Sequence, residues 1–157
     1  MEAPDKHVLG PGLLPTPFTA EEIRESSRAG KTIRLLVEGP DGSTFERLNR
    51  FRDGDDTGAT LDRWNADAPD DVSTSRVTWR ELQGHASFPA DRTEVRNELV
   101  ELPLGRLECV RYDTRPTSDA EVQTFWFAPD YPGMPVRYEV PDGSGMMRTT
   151  VLSVETG

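Results

Sequence analysis

Apolar residues recur along this chain at two periods, and the change between them falls at Lys31. Before it, Thr19 and Glu22 form a capping box: the threonine hydroxyl accepts the Glu22 amide proton and the carboxylate returns to the Thr19 amide. Phe18 and Ile23 occupy the positions of the accompanying hydrophobic staple. The spacing predicts a helix over 20–29, ended by Gly30, which enters the left-handed region without steric cost. After it, Ile33, Leu35 and Val37 alternate with Thr32, Arg34 and Glu38, the pattern of a strand with one buried face.

The turn composition of 39–42 returns the chain as a partner strand over 43–51, making a hairpin. Phe45 and Phe51 share a parity that Leu48 breaks, which allows a bulge or a short helical stretch there. A short strand over 60–65 carries Trp64, and Val77 and Trp79 alternate with Thr78 and Arg80 in a strand running to about Leu82. Residues 83–92 read as a long connection, of the kind that is often functional or pinned by its own side chains. Residues 93–102 fit a helix through Val95, Leu99 and Leu102, or a strand through Val100 and the stop at Pro103; strand neighbours favour the strand. Four more strands follow at 107–112, 122–128, 136–140 and 146–154, separated by proline and glycine turns. Phe125, Trp126 and Phe127 put aromatic groups on both faces of one of them, which places it centrally.

The expected architecture is mainly β (α+β): a strongly curved antiparallel sheet or half-barrel meander, with the short N-terminal helix packed on its concave side. Residues 1–17, interrupted by Pro4, Gly10, Pro11 and Gly12, are expected as an irregular arm, and 18–157 as one domain. A chain of 157 residues buries enough surface to fold without metals or disulfides.

Charge and composition narrow the function. Twenty-eight acidic against eighteen basic residues give a net charge of −10, which repels nucleic acid and anionic headgroups and suits a soluble protein. No window approaches the ~20 apolar residues of a spanning helix. The first residues lack a basic region followed by an apolar run, and the single Cys109 permits no internal disulfide. Together these lead to the expectation of a cytoplasmic location.

Catalytic and metal motifs are weak. Asp53, Asp55, Thr57 and Gly58 match the first positions of an EF-hand loop, but its twelfth position, a bidentate glutamate in that motif, is Trp64, so an acidic turn is expected. Cys109 and His85 are the only nucleophile and base outside the arm that holds His7. Cys109 sits in an alternating strand as a small buried hydrophobe would. His85, in the 83–92 connection, either locks that loop or faces a cavity. No cofactor is expected: glycine-rich phosphate loops and paired Cys or His spacings are missing.

What remains is aromatic density, twelve residues in all, most of them after Trp64. They are either a filled core or the lining of a cleft for an apolar or amphipathic ligand, with Arg111 or Arg137 at its rim. The candidate ligand-binding residues are Trp79, His85, Phe88, Tyr112, Trp126, Arg137 and Tyr138.

The segments PLGRLECVRY (103–112) and TFWFAPDYPGMPVRYEV (124–140), with the strand from Met147 to Val154, resemble the second half of half-barrel domains of the lipoprotein-localisation and outer-membrane lipoprotein-sorting type. The resemblance covers about a third of the chain and is fold-level analogy. It implies a curved antiparallel sheet wrapping a helix with acyl chains held between, and gives Trp126, Phe127, Pro132 and Val136 structural places in that sheet. The chain departs from it in having a more polar helix.

The function expected is a non-enzymatic binding or interaction domain, holding a hydrophobic small molecule or a protein partner. The alternatives are an accessory subunit of a larger assembly that pairs through a sheet edge, or an enzyme using His85 with Arg80, Asp91 or Arg92.

Overall fold

The computed structural model describes residues 6–156. Nine strands form one open, curved antiparallel sheet in the order β4-β3-β2-β1-β9-β8-β7-β6-β5. They are β1 (Lys31–Glu38), β2 (Thr44–Arg52), β3 (Gly58–Asn65), β4 (Ser73–Thr78), β5 (Thr93–Leu102), β6 (Gly105–Thr114), β7 (Gln123–Phe127), β8 (Arg137–Asp142) and β9 (Gly145–Thr156). Two meanders, β1 to β4 and β5 to β9, are welded where β1 pairs with β9, so the chain's middle supplies both outer edges. The register slips between Arg34↔Ser153 and Leu35↔Val151, leaving Leu152 extra in β9, a bulge that bends the sheet at this weld.

Helix α1 (Ala20–Ser27) starts where the capping box places it: Glu22 N–H donates to Thr19 Oγ1 at 3.2 Å, and Thr19 N–H to Glu22 Oε1 at 3.0 Å. It ends two residues earlier than expected, with Gly30 at φ 91° turning the chain into β1. Phe18 and Ile23, the staple residues, are both buried against the sheet. The core on this side gathers Ile33 and Leu35 of β1, Phe51, Leu61, Tyr112, Phe127 and Val151 under Phe18, Ile23, Trp79, Leu82 and Phe88. Each such side chain contributes about 1.5–3 kcal/mol on burial.

The strand expected to run from Val77 to Leu82 stops at Thr78. Trp79 instead opens a second helix, α2 (Trp79–Gly84), because Thr78 Oγ1 accepts the Glu81 N–H at 3.0 Å and caps it. Leu48 causes no bulge: β2 pairs continuously with β1 and β3 through it, and Leu48 points to the face away from the helices. Residues 93–102 are a strand. β7 has both faces covered, though it lies two strands from an edge.

The second core, on the face away from α1, contains Val100, Cys109, Trp126, Ala128 and Val136. Of the expected arm, residues 1–5 lie outside the described residues, and 6–17 lie along the domain. Leu14 N–H donates to Phe88 O at 2.8 Å, and Tyr112 Oη donates to Pro15 O at 3.1 Å.

Candidate functional site

Alternation along β6, β7 and β8 sorts the expected ligand-binding residues onto two faces. Phe88, Tyr112 and Tyr138 share the helix-side face. The Phe88 ring lies 4.8 Å from Tyr112 and 5.3 Å from Phe125, and Phe125 stacks on Tyr138 at 5.8 Å. Arg47 from β2 donates to Tyr138 Oη at 3.2 Å. Trp126 and Arg137 face the opposite way: the Arg137 guanidinium lies 6.0 Å from the Trp126 ring and that of Arg111 5.1 Å. Trp79 sits at the other end of the core, its Nε1–H donating to Asp55 O at 2.7 Å. His85 is exposed at the end of α2, while Cys109 is buried in the second core, so the two do not form a pair. The space beneath α1 is occupied by Phe18, Ile23, Phe88, Tyr112 and Phe127. No cluster of metal-ligating side chains occurs among the described residues.

The electrostatics of the second face are those of a closed network. Trp126 Nε1–H and Arg111 both donate to Glu98 Oε2 at 3.1 Å, which holds the Glu98 carboxyl below its ordinary range. Arg111 also bonds Asp113 at 3.2 Å, and Thr124 donates to the same carboxylate at 2.7 Å. Burial first, then the Glu98 charge, pushes the Cys109 thiol up, away from a reactive thiolate.

The open feature lies at the end of the sheet, on β5. Arg115 N–H donates to Arg92 O at 3.2 Å, and Leu102 and Gly105 close a two-residue turn at Pro103 and Leu104. This phase of the ladder turns the backbone groups of alternate residues, Thr93, Val95, Asn97, Leu99 and Glu101, away from β6. Val95 is 49% and Leu99 51% exposed, large apolar side chains on a bare edge. Although β5 also touches β9, residues 94–97 remain exposed. Beside Leu99 a cleft of about 310 Å³ is lined by Asn97, Glu108, Val110 and Pro129. The other edge is blunt: β4 has six residues, STSRVT, and its Arg76 is tied to Asp55 at 2.6 Å. Sequence reasoning singled out neither Val95 nor Leu99 as a site residue.

No protein-family model matches the chain, and no curated protein matches it in sequence. Solved structures do match in fold. MucB in the Pseudomonas aeruginosa MucA/MucB complex aligns over 87% of this chain at TM-score 0.57 and 12% identity, and this chain spans 55% of that one. A Bacteroides fragilis protein described as exported, with a YmcC-like fold, aligns over 80% of this chain and 95% of its own at TM-score 0.46 and 12% identity. An outer-membrane lipoprotein-sorting protein domain from Vibrio parahaemolyticus aligns over 87% of this chain and 91% of its own at TM-score 0.25 and 10% identity. The resemblance to half-barrels of the lipoprotein-sorting type stands at the level of the fold alone, an open antiparallel sheet with a helix packed on one face. The cytoplasmic location expected above is corrected: the fold neighbours point away from it, MucB having been solved at TM-score 0.56 to this chain in complex with a partner described as MucA(peri). Among the described residues no helix is long and apolar enough to cross a membrane.

Proposed function

We propose that this chain is a non-enzymatic binding domain that takes a protein partner along β5. The observation that carries the reading is the outer edge of that strand, ten residues long and unpaired, with Val95 and Leu99 half exposed beside a cleft. An extended partner segment would add a strand here, its main chain supplying affinity and its alternate side chains reading Val95, Leu99 and the cleft. Glu94, Arg96, Glu101, Arg106 and Glu108 give the edge exposed charges of both signs, so a complementary alternation of charge on the partner would fix its register. MucB, similar in fold, has been solved in complex with MucA, which is in keeping with a protein partner.

A photo-reactive residue at position 99, introduced into the chain expressed in its own cell, tests this. A discrete protein adduct at position 99, not seen with the same probe at Ser75 on β4, is the expected result. An adduct of lipid mass at position 99 would replace the protein partner with an amphipathic small molecule held at the cleft. Equal labelling from both positions would remove the edge from consideration.

A further inference from the structure

We infer that the partner fitted by this edge is a second copy of the chain, an inference that rests on the binding role of β5 proposed above. Two copies related by a two-fold axis can pair their β5 strands antiparallel only with the axis passing through one residue and its own counterpart. Any other arrangement sets outward-pointing backbone groups against inward-pointing ones.

The side chains then choose among the allowed registers. An axis at Arg96 sets Arg96 against Arg96 of the other copy, and an axis at Glu98 sets Glu98 against Glu98; like charges directly opposite destabilise a strand pair. An axis at Asn97 gives a different result. Residues 93–101 of both strands overlap, Val95 meets Leu99 of the other copy twice, and Arg96 meets Glu98 of the other copy twice. The backbone groups of Val95, Asn97 and Leu99, all directed outward, become the hydrogen-bonded positions. Both half-exposed apolar side chains are covered, each by the other. The charges are accessible for this pairing: the Arg96 side chain is 62% exposed and comes no nearer to Asp113 than 3.9 Å, beyond hydrogen-bond distance, and Glu98 uses Oε2 for both Trp126 and Arg111, leaving Oε1 to the second copy. The edge is self-complementary in backbone phase, apolar contact and charge at one register. In that register the two sheets join into one, with both clefts on the same side.

Sedimentation of the intact chain at rising concentration, with three variants, tests the inference. The wild type is expected to double in mass as concentration rises. Asn97→Pro removes an outward N–H that makes no bond within the sheet, and is expected to give a monomer whose melting temperature matches that of the wild type at concentrations low enough for both to be monomeric. Arg96→Glu sets two like-charge pairs across the axis and is expected to weaken the dimer about tenfold. Asn97→Cys is expected to cross-link to itself on mild oxidation, whereas Val95→Cys does not, since its counterpart lies four residues along the partner strand. A wild type monomeric at every concentration, or a dimer that Asn97→Pro leaves intact, overturns the inference. If the chain is monomeric while position 99 still captures a different protein, the homodimer falls and the edge-binding function stands.

Discussion

Gln83 and Thr16 meet side chain to side chain in the interior, Nε2 of the glutamine donating to the threonine Oγ1 at 3.0 Å. The same nitrogen donates to Lys6 O at 2.8 Å, and Oε1 accepts the Ala20 N–H, the first of α1, at 3.1 Å. One amide on α2 therefore holds both the arm and the start of α1. Gln83 is 3% exposed, so water cannot replace these bonds. Gln83→Leu is expected to cost about 2–3 kcal/mol, the desolvation left on the abandoned partners. Urea unfolding checks this: the midpoint falls and the slope holds.

Much of the sheet was legible because alternation is a local signal. Ile33, Leu35 and Val37 all lie in β1 as their alternation predicts, and the capping box at Thr19 and Glu22 marks the first residue of α1. The missed helix carried its own mark, Thr78 followed three residues later by Glu81, but the alternation of Val77 with Trp79 masked it. The grouping of Trp126 and Arg137 with Tyr138 mixed two faces that the parity of β7 and β8 keeps apart. The edge was not legible at all. Nothing in TEVRNELVEL distinguishes an outer strand from an inner one; its position follows from the pairing of Lys31–Glu38 with Gly145–Thr156, set by contacts more than a hundred residues apart in sequence.

Asp62 is buried on β3 and receives Arg52 Nε at 2.7 Å, Arg50 Nη2 at 2.8 Å and Thr74 Oγ1 at 2.7 Å. The bonds from Arg52, then Arg50, then Thr74 hold its carboxyl far below the ordinary range. With the folded value depressed, its contribution is fully present above the unfolded value of about 3.9 and is lost as pH falls towards the folded one. Asp62→Asn is expected to cost about 2 kcal/mol at neutral pH and to flatten the acid limb of the stability profile. An acid limb unchanged in the variant would assign that limb to other carboxylates.

Gly58 opens β3 opposite Thr78, the last residue of β4. A side-chain carbon there would collide with the carbonyl of Val77 and approach Thr78 Cα to 2.9 Å, both backbone atoms that cannot swing aside. Gly58→Ala is expected to destabilise by about 1–3 kcal/mol through overpacking. Gly84→Ala, with nothing within 4 Å, is the control. Thermal unfolding of the two should separate them.

The alkaline side of the stability profile should carry two opposed limbs. Lys31 is buried at the foot of α1, its Nζ donating to Ser26 Oγ at 2.9 Å and Pro132 O at 3.1 Å. Burial pushes its pKa down to about 8. In the unfolded chain it titrates near 10.4, so between these values the unfolded state binds more protons and stability rises with pH. Tyr112, bonded to Pro15 O, is pushed up to about 12 by burial. Its unfolded value is about 10, so above that the folded state keeps the proton longer and stability falls. The expected curve climbs from about pH 8, turns near 10 and descends towards 12. Lys31→Met should flatten the climb and leave the descent, while Tyr112→Phe should do the reverse. Urea unfolding through this range decides it: a flat wild-type curve between 8 and 10 would mean that water or a local opening keeps Lys31 charged in the fold.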